Sequence, residues 1–93
     1  MPLGKYARMR KRFLHEHWKI TYTNLLTSGK LSSHLAEIQQ TAQRRMEEIV
    51  AQMAKAQGVT EELKASDQMK WVGLMNNLQN AAEETVLAEL IYN

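Results

Sequence analysis

A stripe of apolar positions in the middle of the chain predicts a long helix. From Leu31 to Ala56, apolar residues recur at steps of three and four, and Gln, Arg and Glu fill many of the positions between them. This spacing matches one face of a helix with about 3.6 residues per turn. We expect the helix to begin at Ser32 or Ser33, whose hydroxyls can cap free N–H groups, and to end at Gly58. The stripe consists of Leu31, Leu35, Ile38, Ala42, Met46, Ile49, Met53 and Ala56.

A second apolar stripe predicts a returning helix after a short polar stretch. Thr60, and then Ser66 or Asp67, are candidate N-caps. Because the connection between the stripes is short, the two long helices must pack as an antiparallel pair. Gly73 has low helix propensity, and a close approach of the two helices would explain its presence. The second stripe consists of Trp71, Met75, Leu78, Ala82, Val86 and Leu90.

The first thirty residues predict an amphipathic helix. We expect it to begin near Leu3 or Gly4, and either to run to Ser28 or to bend at 21–23, where Thr, Tyr and Thr lower helix propensity. Gly29 is the expected C-terminal stop. Two adjacent sides of this helix are apolar, one with Tyr6, Met9, Phe13 and Ile20, the other with Ala7, Leu14, Trp18 and Leu25. The side opposite the first of them carries Lys5, Arg8, Arg12, His15 and Lys19.

Charge is strongly segregated along the chain. Residues 1–30 hold seven Lys or Arg and one Glu, a formal charge of +6, whereas residues 31–93 carry −4. A basic segment on an acidic body favours an anionic partner. Tyr6, Trp18 and Tyr22 are candidates to stack on bases; a solvated face with core aromatics, or a membrane-surface helix, are alternatives. The candidate nucleic-acid or partner contacts are Lys5, Arg8, Arg10, Lys11, Arg12 and Lys19.

These patterns predict an all-α protein, a small helical bundle built on a long antiparallel helical hairpin with a basic amphipathic N-terminal helix. At 93 residues we expect a single domain, with 1–30 as the basic segment and 31–93 as the hairpin. The absence of cysteine excludes disulfides. The apolar runs are too short for a membrane span, and the N-terminus lacks the apolar region of a secretory signal.

Catalytic and metal-binding patterns are weak in this sequence. It has one Asp, no Cys and no Gly-rich phosphate loop, and its adjacent Glu pairs point in different directions on a helix. His15 and His17 are two positions apart, which directs their rings about 200° from each other and prevents them from sharing one ion. We therefore expect a non-enzymatic protein with no cofactor, no metal and no small-molecule substrate.

Five long runs of the sequence are distinctive. They are GKYARMR at 4–10, YTNLLTSGKLSSHLAEI at 22–38, MAKAQGVTEELKASD at 53–67, WVGLMNNL at 71–78 and AEETVLAELIY at 82–92. These runs are similar to TnpV, a family of small transposon-encoded proteins of bacteria. The resemblance covers nearly the whole chain and carries over no catalytic residue. It implies a cytoplasmic protein carried by a mobile element, as an accessory factor beside a recombinase.

Three functional hypotheses follow, each with a different partner. The leading one is an accessory transposon protein that binds nucleic acid, or a nucleoprotein complex such as a recombinase on DNA, through the basic helix. A second is an anti-CRISPR-like inhibitor that docks on a host Cas9-type nuclease, whose nucleic-acid channel is positively charged. The third is a homodimeric helical scaffold.

Overall fold

The computed structural model describes residues 4–93, and the regular structure in that range is helical. The predicted all-α class is confirmed, while the predicted helix start at Leu3 lies outside the described residues. The elements are α1 (Lys5–His17), α2 (Lys19–Thr27), α3 (Leu31–Gln57), α4 (Glu61–Ser66), α5 (Gln68–Val86) and a π-helical segment (Leu87–Ile91).

Helices α3 and α5 form the antiparallel hairpin that the two apolar stripes predicted. Ala42 in the middle of α3 packs against Val86 at the end of α5, and both side chains are completely buried. Towards the end of α3, Val50 lines the same surface depression as Gln79 of α5. Increasing residue numbers in α3 thus meet decreasing numbers in α5. The hairpin sets the long dimension of a molecule that measures 54 × 24 × 18 Å.

The connection at the tip of the hairpin is formed by a glycine helix stop and two N-cap residues, as predicted. Gly58 has a φ of 70°, and the N–H of Val59 bonds back to the Ala54 carbonyl at 2.9 Å. This is the Schellman closure that glycine permits at a helix end. The Thr60 hydroxyl then accepts from the N–H of Leu63, and the Asp67 carboxylate from that of Lys70, so both residues cap new helices.

Helix α1 packs across α3 and the π-helical segment through its apolar side. Tyr6 joins the buried cluster of Ala42, Val86 and Ile91. Leu14 is 1% exposed. A second buried cluster is made of Ala7, Leu31 and Leu35. These contacts fix which side of α1 faces the solvent.

The first helical segment breaks at Trp18, and the prediction of a bend at 21–23 was wrong. Trp18 has φ −130° and ψ 58°, yet its N–H still bonds to the Leu14 carbonyl at 2.8 Å. The break redirects α2 so that Tyr22 and Leu25 pack against the cluster containing Ala7. Tertiary packing therefore determines the position of the bend. The helical phase is lost there, which leaves Ile20 79% exposed although the pattern placed it on an apolar side.

Helix α3 begins at Leu31, so the predicted caps at Ser32 and Ser33 were wrong. Gly29 has a φ of 75°, and the N–H of Lys30 bonds to the Leu25 carbonyl at 2.9 Å, which closes α2. The carbonyl of Lys30 in turn accepts from the N–H of His34 at 3.0 Å. Because the residue that closes α2 also opens α3, the helix starts before the two serines.

Gly73 does not lie at a close approach of helices, and that prediction was also wrong. Apart from its chain neighbours and the nearby backbone of its own helix, a Cβ placed on Gly73 would meet no atom of residues 4–93 within 4 Å. Gly73 lies two positions after Trp71, which points it away from the seam between α3 and α5. Within the described part of the chain, each helix is too short or too polar to cross a membrane.

Candidate nucleic-acid interface

The start of α1 is held against the hairpin by polar contacts. The Gln39 side-chain oxygen of α3 accepts from the N–H of Ala7 at 2.9 Å, which satisfies one of the free donors of the first turn. Lys5 forms an ion pair with Glu83 of α5. The hydrogen bond from Lys5 to Glu83 raises the pKa of this lysine, with burial acting in the opposite direction. Lys5 is thus engaged with the hairpin.

Arg10 lies on the packed side of α1 rather than with the other predicted contact residues. Its guanidinium donates to the backbone oxygens of Ile91 at 2.9 Å and Asn93 at 3.1 Å. It also donates to the Nε2 of His34 at 3.4 Å. The guanidinium carbon is 5.7 Å from the centre of the Phe13 ring. Arg10 therefore joins α1 and α3 to the end of the hairpin.

Burial shifts the pKa values of both Arg10 and His34 downwards. The positive charge of Arg10 adds to the effect on His34, while Glu37 partly opposes it. The His34 ring is consequently neutral near pH 7 and accepts the hydrogen bond from Arg10.

Three exposed cations share one face of α1. Arg8, Lys11 and Arg12 stand at positions i, i+3 and i+4, which makes them neighbours on a helix surface. Arg12 also pairs with Glu16 one turn later at 3.2 Å, where both side chains are more than half exposed. An ion pair this exposed contributes little energy, so Arg12 is able to exchange Glu16 for another anion. We call these three residues the α1 cationic surface.

Lys19 and Trp18 continue beyond the end of α1. Lys19 is the first residue of α2 and is exposed. Trp18, at the break itself, is 51% exposed. The other two candidate stacking residues are placed differently. Tyr6 is buried, and half-buried Tyr22 meets the His15 ring edge-on at 5.1 Å between centroids.

The histidines of α1 have separate neighbours. His15 contacts Tyr22, whereas His17 contacts Phe13 at 5.0 Å between ring centroids. Among residues 4–93, no group of three or more His, Asp or Glu is arranged to hold a metal ion.

The six predicted contact residues differ in how they meet the hairpin. Arg8, Lys11, Arg12 and Lys19 are exposed to solvent. Lys5 is exposed as well but pairs with Glu83, and half-buried Arg10 donates to the end of the hairpin. A sequence signal for Arg10 existed, because it stands four residues after Tyr6, three after Ala7 and four before Leu14, the buried side of α1. Arg8, Lys11 and Arg12 are exposed cations at helical spacing, an arrangement that can bind successive phosphates.

The comparison with protein families gives one match over nearly the whole chain. The family model described as transposon-encoded protein TnpV matches residues 1–91 of the 93. No curated protein and no solved structure matches the chain.

Proposed function

Because the chain belongs to the TnpV family of transposon-encoded proteins, we propose that it is a non-enzymatic accessory protein that binds nucleic acid through the α1 cationic surface. The observation that supports this proposal is the geometry of α1. Its apolar side is packed on the hairpin, and Arg8, Lys11 and Arg12 are presented together to solvent. Lys19 adds a fourth exposed cation beyond the break.

Electrostatic attraction to phosphates supplies the affinity in this proposal. Each neutralised phosphate releases condensed counterions, so binding weakens as salt rises. Three phosphate contacts on duplex DNA correspond to a slope of about −2.7 in log affinity against log salt, or about a 40-fold loss between roughly 50 and roughly 200 mM. Contacts of this kind position a protein on the backbone and read no sequence. A recombinase bound to the same DNA would supply the sequence specificity.

Fluorescence anisotropy of labelled nucleic acid over a salt series tests the proposal. Reversing the charge of the surface with Arg8→Glu, Lys11→Glu and Arg12→Glu together should abolish binding. The matched control reverses three exposed lysines near the hairpin tip, Lys55→Glu, Lys64→Glu and Lys70→Glu, and so changes the net charge equally. This control should retain most of the affinity. Equal losses in both triple variants would show a response to net charge alone and contradict the proposal, as would an absence of binding at low salt.

A further inference from the structure

The exposed indole of Trp18 has open space around it. Tryptophan is usually well covered in folded proteins, yet this side chain is 51% exposed. It lines a depression of about 270 Å³ together with Arg10, Leu14, Thr21 and Asn93. It also lines a second one of about 330 Å³ that includes Lys19 and Ile20. A planar ligand therefore has access to the indole.

Trp18 lies next to Lys11, at the edge of the α1 cationic surface. It stands seven residues after Lys11, and its N–H keeps the helical hydrogen bond to the Leu14 carbonyl at 2.8 Å. Seven residues are two helical turns, so Trp18 follows Lys11 about 10 Å further along the axis of α1. Trp18 also stands four residues after buried Leu14, so it lies at the border between the packed side and the α1 cationic surface. Lys19 follows immediately. The protein thus presents cations, then an aromatic face, then a cation along one path.

We propose that this path binds single-stranded nucleic acid, with an unpaired base stacked on Trp18. The inference rests on the proposed function and specifies its substrate class. Phosphates would contact the α1 cationic surface and Lys19, as in proteins that combine a basic groove with aromatic stacking platforms. Bases inside a duplex are already stacked on their neighbours, and exposing one costs a few kcal/mol. The indole therefore adds affinity for a single strand and none for an intact duplex.

Replacement of the indole tests the stacking directly. The Trp18→Ala variant should bind a single-stranded oligothymidine about 5- to 150-fold more weakly, equivalent to about 1–3 kcal/mol for one stacked base. Its affinity for a duplex, and for an abasic phosphodiester strand of equal length, should change less than about twofold because these probes offer no free base. Met69→Ala is the control, since Met69 is 87% exposed and lies on α5. Circular dichroism verifies that each variant is folded.

Fluorescence of single-tryptophan proteins gives an independent readout. The chain has two tryptophans, so Trp71→Phe leaves Trp18 as the reporter and Trp18→Phe leaves Trp71. Oligothymidine should quench emission from Trp18 and leave that from Trp71 unchanged. The abasic strand should quench neither.

The outcomes separate the two proposals. If oligothymidine binds with the same affinity before and after Trp18→Ala, the stacking inference is overturned and the electrostatic function stands. Equal quenching of Trp18 by the abasic strand would also overturn it. If neither single strand nor duplex binds at low salt, both proposals fail.

Discussion

Arg10 and Ile91 are joined by a hydrogen bond of 2.9 Å from the guanidinium to the backbone oxygen, across a separation of 81 residues. Carbonyls at the end of a helix have no partner within the helix, and here a charged donor from α1 supplies one. The bond holds α1 in the orientation that exposes the cationic surface. Its loss therefore bears on both stability and the arrangement of that surface.

Replacing Arg10 should destabilise the fold. Arg10→Met keeps a long apolar stem but removes the donors, so the free energy of unfolding should fall by about 2 kcal/mol in urea denaturation. Arg10→Lys should recover only part of the loss, because an ammonium cannot reproduce the guanidinium geometry. Lys11→Met, on the exposed side, serves as the control and should change stability by less than about 0.5 kcal/mol. Equal effects at positions 10 and 11 would show that the contacts of Arg10 are not stabilising.

His34 should make stability depend on pH. Its pKa in the folded protein lies below the ordinary value of 6.5, first through burial and then through the charge of Arg10. As pH falls below about 6.5, the unfolded chain takes up a proton before the folded one does, so the free energy of unfolding decreases. This decrease continues until the pH reaches the lowered pKa of the folded state.

The His34→Gln variant isolates that contribution. Glutamine retains an oxygen that can accept from Arg10 but has no titrating ring. Urea denaturation at about pH 7.5 and about pH 5 should show a smaller loss of stability for this variant than for the unaltered protein. The carboxylates and the other two histidines are common to both proteins. Their contributions to the change in stability with pH therefore cancel when the two proteins are compared. Identical pH dependence in the two proteins would refute the role of His34.

Two glycines should respond in opposite directions to alanine. Gly73 is helical and exposed, with open space at its Cβ position, so Gly73→Ala should stabilise the protein by up to about 1 kcal/mol through helix propensity. Gly58 has a φ of 70°, where a Cβ is strained, so Gly58→Ala should destabilise it by about 1 kcal/mol. Thermal unfolding of the two variants measures both signs. A destabilised Gly73→Ala protein would indicate a contact at that position.

The features that the sequence predicted most accurately are those that depend on contacts between residues close together in the chain. Gly58, Thr60 and Asp67 act through hydrogen bonds to residues three to five positions away, and all three were predicted correctly. The break at Trp18 and the start of α3 were missed because packing between distant segments sets them. Arg10 was counted among the candidate contact residues because the sequence records its charge but not the carbonyls that it meets.

A tertiary contact that the sequence did not reveal gives a fourth prediction. A Cβ on Gly4 would overlap the carboxamide of Gln39, the group that accepts from the N–H of Ala7. The flexible carboxamide can move, but the hydrogen bond is then lost. Gly4→Ala should therefore destabilise the protein by about 1 kcal/mol, like the loss of a helix cap.

A double-mutant cycle identifies the cause of that loss. Gln39→Ala alone should destabilise by a similar amount, and the combination with Gly4→Ala by clearly less than the sum of the two. Urea denaturation of the four proteins completes the cycle. Additive effects would mean that Gly4 and Gln39 act independently.

The part of the candidate interface that follows the bend at Trp18 is packed less firmly than the part on α1. None of the nine residues of α2 is buried, and only half-buried Tyr22 and Leu25 pack it on the second buried cluster. A helix with so few packing contacts unfolds locally at a lower free energy than the helices that form the core. Its amide hydrogens should therefore exchange with deuterium before those of α3. Lys19 moves with α2, whereas the α1 cationic surface is fixed to the hairpin. Local unfolding of α2 would therefore displace Lys19 while the α1 cationic surface stays in place.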